Sequence, residues 1–404
     1  MKKVVVIGAG QAGASLVIKL REIGFEGPIT LLGSEPYPPY QRPPLSKKYL
    51  LGGIALERMY LRPESYYNEQ KISLRLGQTV DRIDRENKVI HLGEKKISYD
   101  DLVLATGSWP RQLPEKVGGN LKKVFTMRDL ADADAMASDF VAGQRALIIG
   151  GGYIGLEAAS VAAMRGLKVT LVEMADRILS RVAAPQTSDY FRHLHQTHGV
   201  TIKEGVGVTK LFGVGDLVRH AELSDGTKLE IDFAIVGIGI VPATDLAKAS
   251  GLEITDGIQV NGLGQTSDPA IWAAGDCCAF PYGDAELRLE SVQNAIDQAE
   301  VVAQNILGAQ IEYVPKPWFW SDQYDVKLQI AGLNTGFSDV FTRKTPDHKT
   351  VSFWYYKDKN LIAVDAMNDP RAFMVAKRLL EAGKTVDRET IVNPKINLKT
   401  LLSN

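Results

Sequence analysis

Two glycine-rich turns carry the chemistry of this chain: Gly8-Ala-Gly10-Gln-Ala-Gly13 after the apolar run Val4-Val-Val-Ile, and Gly150-Gly-Gly152-Tyr-Ile-Gly155 after Ala146-Leu-Ile-Ile. In each, the first glycine allows a tight turn, the second lets the backbone approach a pyrophosphate, and the third lets helix and strand pack closely. The anion then lies against the N–H groups of a helix start, where the dipole is positive. One such pattern is weak evidence; two imply two dinucleotides. About 20 residues beyond each turn comes an acid at the end of the next apolar run, Glu35 after Ile29-Thr-Leu-Leu32 and Glu173 after Val169-Thr-Leu-Val172, where a ribose-binding carboxylate belongs.

The elements that must hold these turns follow from periodicity. Leu16, Leu20 and Ile23 recur at helical spacing before a stop at Gly24, and Ile154, Ala158 and Ala162 do the same before Gly166. The apolar runs ahead of the glycines read as parallel strands covered on both faces. Tyr99 to Gly107 and Asp232 to Gly239 read as further strands, the two crossings between one nucleotide domain and a second inserted into it. Ala270 to Asp276 is a short buried strand ending in a Gly275-Asp276 turn, which returns the chain to the first domain. From about Val314 the texture turns aromatic and alternating. Val351 to Tyr356 and Leu361 to Val364 read as antiparallel strands, followed by a helix capped by Asp369, with Pro370 at its first position, and stopped at Gly383. The expected fold class is α/β: two Rossmann-like dinucleotide-binding domains, one inserted in the other, plus a C-terminal α+β domain. The expected boundaries are 1–110 and 238–313 for the outer nucleotide domain, 111–237 for the inserted one and 314–404 for the last.

Composition narrows the classes. Hydrophobic residues make up 45% and charged residues 24%, the balance of a globular protein with a substantial core. A formal net charge of -1 supplies no global field for nucleic acid or membrane binding. The apolar run after Met1-Lys-Lys ends in the first glycine turn, so it is read as a strand and not as an export signal. There is no run of 18 apolar residues, and none is expected to span a membrane. The only cysteines, Cys277 and Cys278, are adjacent, which excludes a disulfide scaffold, a C-x-x-C motif and a cysteine metal cluster; they read as reduced thiols in a cytoplasmic protein. His193, His195 and His198 share one expected helix without a usual metal-ligand spacing, and are read as a solvated face.

The paired turns, Thr106-Gly107, Gly275-Asp276, Gln41-Arg42-Pro-Pro-Leu-Ser-Lys47 and Trp318-Phe-Trp320-Ser-Asp-Gln323 together resemble the FAD-dependent ferredoxin reductases of bacterial oxygenase systems over nearly the whole chain. The last two motifs are the specific ones. The resemblance implies the fold of glutathione reductase, with FAD on the first turn and NADH on the second. It implies that Gly8, Gly10, Ala12, Gly13, Glu35, Arg42, Lys47, Val80, Arg128, Asp276 and Val292 bind FAD, with Glu35 on its ribose and Asp276 on its ribityl or pyrophosphate region. Gly150, Gly152, Gly155, Glu157 and Glu173 are then expected on NADH. Glu157 is implied beside the nicotinamide within reach of Lys47, although a carboxylate read into the first helical turn also interacts favourably with the helix dipole. Lys47 places a positive charge where reduction makes the flavin electron-rich, and Trp320 is implied near the flavin with Trp318 nearer the acceptor. Lys47, Glu157 and Trp320 are thus the expected catalytic residues. Glu173 accepts from ribose hydroxyls and repels a 2′-phosphate, so NADH is expected over NADPH.

The expected activity is hydride transfer from NADH to FAD, then single-electron transfer to a transiently bound two-iron two-sulfur ferredoxin serving a cytochrome monooxygenase or a ring-hydroxylating dioxygenase. No metal, nucleic acid or membrane partner is expected. A rubredoxin reductase and an NADH-responsive flavin redox sensor are the competing readings. A disulfide reductase needs a cysteine pair, and a peroxidase of this fold a lone reactive cysteine, near the Arg42 to Lys47 segment; neither exists there.

Overall fold

Four consecutive buried β-branched residues, Val4–Ile7, form the central strand of a parallel sheet. Its neighbours are Ile29–Leu32 on one side and Asp101–Leu104 on the other, with Ile72–Arg75 and Ile271–Ala273 at the edges. The lack of alternation is explained by what covers each face. On one, the helix Gln11–Glu22 buries Leu16, Val17 and Leu20 with Val4, Val6 and the Ala299 and Val302 side chains of the helix Val292–Ile306. On the other, Val5, Ile7, Leu102 and Leu104 meet Cys277, Cys278 and Ile90, the last from a small antiparallel sheet of Arg82–Asp84, Val89–Leu92 and Lys95–Ser98. Each such fully buried aliphatic side chain contributes roughly 1.5–3 kcal/mol of transfer free energy.

The structure, a computed structural model, describes residues 1–345 and 350–402. The chain divides into two units: Met1–Arg42, Ala55–Trp109 and Ile240–Pro317 make the first, and Pro43–Ile54, Pro110–Gly239 and Trp318–Asn404 the second. The second unit repeats the parallel arrangement in the order Thr201–Glu204, Lys168–Glu173, Arg145–Ile149, Phe233–Val236 and Val124–Phe125. Its glycine-turn helix, Tyr153–Met164, is buried at every position from Gly155 to Ala162. A helix apolar on so many sides needs cover on more than the sheet side. The strand Trp318–Gln323 and the short irregular helix Leu45–Tyr49 supply it.

The same unit carries an antiparallel sheet in the order Trp318–Gln323, Val326–Gly332, Asn360–Met367, Val351–Lys357 and Asp339–Lys344. Both strands expected here from the sequence, Val351 to Tyr356 and Leu361 to Val364, are there and pair antiparallel. The helix Pro370–Glu381 lays Phe373, Ala376 and Leu379 on this sheet against Ala331, Trp354 and Val364. It begins where its start signals place it, since the Asp369 side chain accepts from Ala372 N at 2.9 Å and Pro370 holds the first position. The α/β class with paired Rossmann-like sheets and an added α+β region is therefore the observed one.

Candidate functional site

The first glycine turn is built by exclusion. Gly8 has φ +112°, and a Cβ there would lie 2.0 Å from Ala105 O; a Cβ on Gly13 would lie 1.9 Å from Gly8 O. Gly10 is the opposite case, with nothing within 4 Å of an added Cβ. It is the N-cap residue of Gln11–Glu22, a helix with no side-chain cap and no acid in its first turn, so no such group of its own competes with an anion at the helix start. Ala12 is buried beneath, and a Cβ on Gly275 (φ +86°) would stand 3.1 Å from the Ala12 methyl. A side chain at Gly275 would therefore be both strained and crowded against the helix. Gly275 N donates to Gln298 Oε1 at 2.9 Å, and Asp276 Oδ2 accepts from Ser108 Oγ at 3.2 Å. Glu35, past the second strand, accepts from Tyr40 OH and pairs with the Arg42 guanidinium, which also sits 5.2 Å over the Tyr40 ring. Val80 is buried in the core under the sheet, and Val292 opens its helix behind the Ser291 cap.

The second turn repeats the pattern. Gly150 has φ +106° and a Cβ there would meet Gly237 O at 2.4 Å, while one on Gly155 would meet Gly150 O at 2.0 Å; around Gly152 there is again nothing within 4 Å. The helix behind it also lacks a side-chain cap. Glu173 ends its strand with both carboxylate oxygens engaged, Oε2 accepting from Gly151 N at 2.7 Å and Oε1 from Ala175 N at 2.8 Å. It is thereby fixed at the mouth of the turn. Both turns fit a dinucleotide: an open position at the middle glycine, a helix start without a side-chain cap and a carboxylate at or just past the end of the second strand. Arg128 lies in this second unit, just before the Asp129 cap of the helix Leu130–Ala137, its backbone N–H donating to Asp132 Oδ2 at 2.7 Å.

Lys47 and Glu157 meet directly, Nζ to Oε2 at 2.8 Å, with Glu157 only 5% exposed. Lys47 stands at a break in its short helix (φ -133°, ψ -109°) and also reaches Pro43 O at 3.4 Å. Glu157 is the fifth residue of its helix, past the first turn, so the dipole expectation does not hold for it; its charge is balanced by side chains instead. Ser46 Oγ donates to Oε2 at 3.0 Å and Ser321 Oγ to Oε1 at 2.7 Å. The strand Trp318–Gln323 explains how. Alternate side chains take opposite faces, putting Phe319, Ser321 and Gln323 inward and Trp318 and Trp320 together on the other face, ring centroids 5.4 Å apart. Sequence reasoning singled out the tryptophans and passed over Ser321 and Gln323; two polar residues on a buried strand face were the available signal.

Two readings of the remaining residues require correction or refinement. His195 is not on a solvated face: it is fully buried, bonded through Nε2 to Gln323 Oε1 at 2.8 Å and through Nδ1 to Tyr324 OH at 3.1 Å. Burial pushes its pKa down to about 4, so the ring is neutral. The helical pattern failed there because the residue that covers it comes from a strand 128 positions away. Cys277 and Cys278 are free thiols, as read from the sequence, and fully buried, and burial pushes both thiols up. Neither is a thiolate nucleophile.

Similarity to known proteins follows the same map. Residues 2–299 match the model of the pyridine nucleotide-disulphide oxidoreductases and residues 318–402 that of the reductase C-terminal region. The chain is 41% identical to a ferredoxin–NAD(P)(+) reductase of Sphingomonas sp over 99% of its length and 97% of that protein. It is 37% identical to putidaredoxin reductase of Pseudomonas putida, over 99% and 96% of the two chains. Among solved structures, the reductase in a covalent putidaredoxin reductase–putidaredoxin complex superposes with a TM-score of 0.96 at 37% identity, covering 100% of this chain and 98% of the other. A ferredoxin reductase from Rhodopseudomonas palustris gives the same score and identity with 100% of both chains covered.

Proposed function

We propose, from the premise that this chain belongs to the pyridine nucleotide-disulphide oxidoreductase family and within it to the ferredoxin reductases, that it oxidises NADH and reduces a two-iron two-sulfur ferredoxin that feeds an oxygenase. The carrying observation is the pair of uncapped helix starts whose middle glycines, Gly10 and Gly152, face open space. FAD, when bound, takes up the electron pair of a hydride and gives it up one electron at a time. The protein's part is binding, orientation and electrostatics.

On this reading the Gly8 to Gly13 turn holds the FAD pyrophosphate and Glu35, steered by Arg42 and Tyr40, its ribose. Asp276, bonded to Ser108, would face the ribityl or pyrophosphate region, and Ala12, Val80, Val292 and Arg128 would complete the FAD contacts. The Gly150 to Gly155 turn receives NADH, and Glu173 selects its free 2′-hydroxyl. Glu157 would orient the nicotinamide, Lys47 would supply an ammonium charge favouring the reduced flavin, and Trp320 would pack at that site without accepting a proton. No nucleophile or general base is required. The buried, protonated thiols of Cys277 and Cys278 leave dithiol chemistry without a participant. Among the described residues no helix is long and apolar enough to cross a membrane. Both cysteines are free thiols, which suits a reducing compartment, and on that ground the proposed location is the cytoplasm.

The test is NADH-dependent turnover with a panel of [2Fe–2S] ferredoxins and a rubredoxin. At least one ferredoxin should be reduced with a kcat/KM well above that for rubredoxin. Equal or preferred use of rubredoxin would reassign the acceptor.

A further inference from the structure

The charge on Glu157 fixes the direction of every hydrogen bond in a row of side chains behind it. Paired with Lys47, the carboxylate accepts and has nothing to donate. Ser321 therefore spends its single hydroxyl proton on Oε1, 2.7 Å away. Its remaining 3.1 Å contact must be filled by a donor, which turns the Gln323 amide nitrogen toward Ser321 and the amide oxygen toward His195. His195 Nε2, 2.8 Å from that oxygen, must then carry the ring hydrogen, leaving Nδ1 to accept from Tyr324 OH at 3.1 Å. Only a neutral imidazole can donate at one nitrogen and accept at the other. We propose that Ser321, Gln323 and His195 are positioning residues for Glu157, a one-way chain of donors that starts at Tyr324 and ends on the carboxylate.

Independent features agree with this assignment. Ser321, Gln323 and His195 are all fully buried, where an unpaired polar atom is costly, and each bonds its neighbours in the row. The chain ends in a conformation that an aromatic residue seldom takes: Tyr324 has φ +54° in the turn after its strand. Its hydroxyl on His195 and its ring stacked on His198, centroids 3.7 Å apart, hold it there. With Ser46 and Lys47 on Oε2 and the chain on Oε1, the carboxylate has donors on both oxygens and one orientation. A side chain meant to meet a nicotinamide at a set distance requires that kind of restraint.

The assignment rests on the reading that Glu157 serves NADH, and two measurements keep the two apart. First, nitrogen-15 histidine NMR of the FAD-loaded wild-type protein should show His195 as the Nε2–H tautomer. An Nδ1–H tautomer would reverse the chain and overturn the proposal, whatever the enzyme does with NADH. Second, stopped-flow mixing with NADH should show the limiting rate of flavin bleaching falling about tenfold in Ser321→Ala, the loss of one charge-assisted hydrogen bond, with the NADH dissociation constant moved less. Ser321→Thr, which keeps a hydroxyl, should recover most of it, and Gln323→Met should also lower the rate. Unchanged rates in folded, FAD-replete Ser321→Ala and Gln323→Met would sink the positioning role, while failure of the wild type to bleach would instead sink the function reading.

Discussion

Glu173 has both oxygens tied to backbone N–H groups at the mouth of the second glycine turn, so it cannot swing aside for a bulkier ligand. A 2′-phosphate would meet fixed negative charge, and NADH should exceed NADPH in kcat/KM. Glu173→Ala should narrow that gap through the NADPH value by on the order of tenfold, about 1.4 kcal/mol of transition-state stabilisation. A second residue-scale expectation concerns Asp365, fully buried, with Oδ2 accepting from Thr187 Oγ1 at 2.6 Å and from Tyr355 OH, and Oδ1 without a hydrogen-bond partner among the described residues. Burial pushes its pKa up to about 6 from an ordinary 3.8. A raised folded-state pKa means the native protein holds more protons than the unfolded chain between those values, so this group's contribution is full below 3.8 and is lost as pH rises through 6. The melting temperature of wild type relative to Asp365→Asn should therefore be more favourable at pH 5 than at pH 8. A pH-independent difference would contradict the assignment. Residues of this kind were not legible in the sequence: His195 was read on a solvated helix face and Asp365 falls just past the strand read from Leu361 to Val364, and only long-range packing removes them from water. Glu35 and Glu173 were legible because strand, turn, helix and strand fix their spacing within one short segment.

At the scale of elements, the three glycines of each turn do different work, and substitutions should separate them. A methyl on Gly155 would stand 2.0 Å from Gly150 O, so Gly155→Ala must push helix from strand, an overpacking cost of about 1–3 kcal/mol or more. Gly152→Ala meets nothing within 4 Å, and its φ of -79° suits any residue. It should fold with an unchanged melting temperature and full FAD, yet bind NADH more weakly because the methyl fills the pyrophosphate position. Calorimetry and NADH titration check the pair; strong NADH binding by Gly152→Ala would refute the placement of the coenzyme. The glycine turns, the buried strands and the capped helix Pro370–Glu381 were legible because each rests on local rules of turn, burial and cap. The row from Glu157 to Tyr324 was not, since it joins a helix, a strand and a second helix that meet only in the folded chain.

For the whole molecule, a net charge of -1 cannot steer an electron carrier, so any steering must be local. The helix Pro370–Glu381 exposes Arg371, Met374 and Arg378, while Lys377 lies 5.5 Å over the Trp318 ring and 3.7 Å from Glu381. A weakly held, acidic iron-sulfur partner would be served by such a small basic face. Turnover with the proposed ferredoxin should fall as salt rises, whereas reduction of a small neutral quinone should not. Lys377→Glu and Arg378→Glu should reproduce that selective loss; indifference of ferredoxin-limited turnover to both charge reversals and salt would place docking elsewhere. The central claim is that two electrons enter from NADH and leave singly to a ferredoxin. Anaerobic stopped-flow spectroscopy tests it most directly, by mixing the FAD-loaded protein with NADH and then with oxidised [2Fe–2S] ferredoxin. The account predicts rapid flavin bleaching, followed by recovery of oxidised flavin with two ferredoxins reduced per NADH consumed. Slow bleaching with a long-lived long-wavelength absorbance, and no electron passed to any ferredoxin, would contradict it and favour an NADH-responsive sensor.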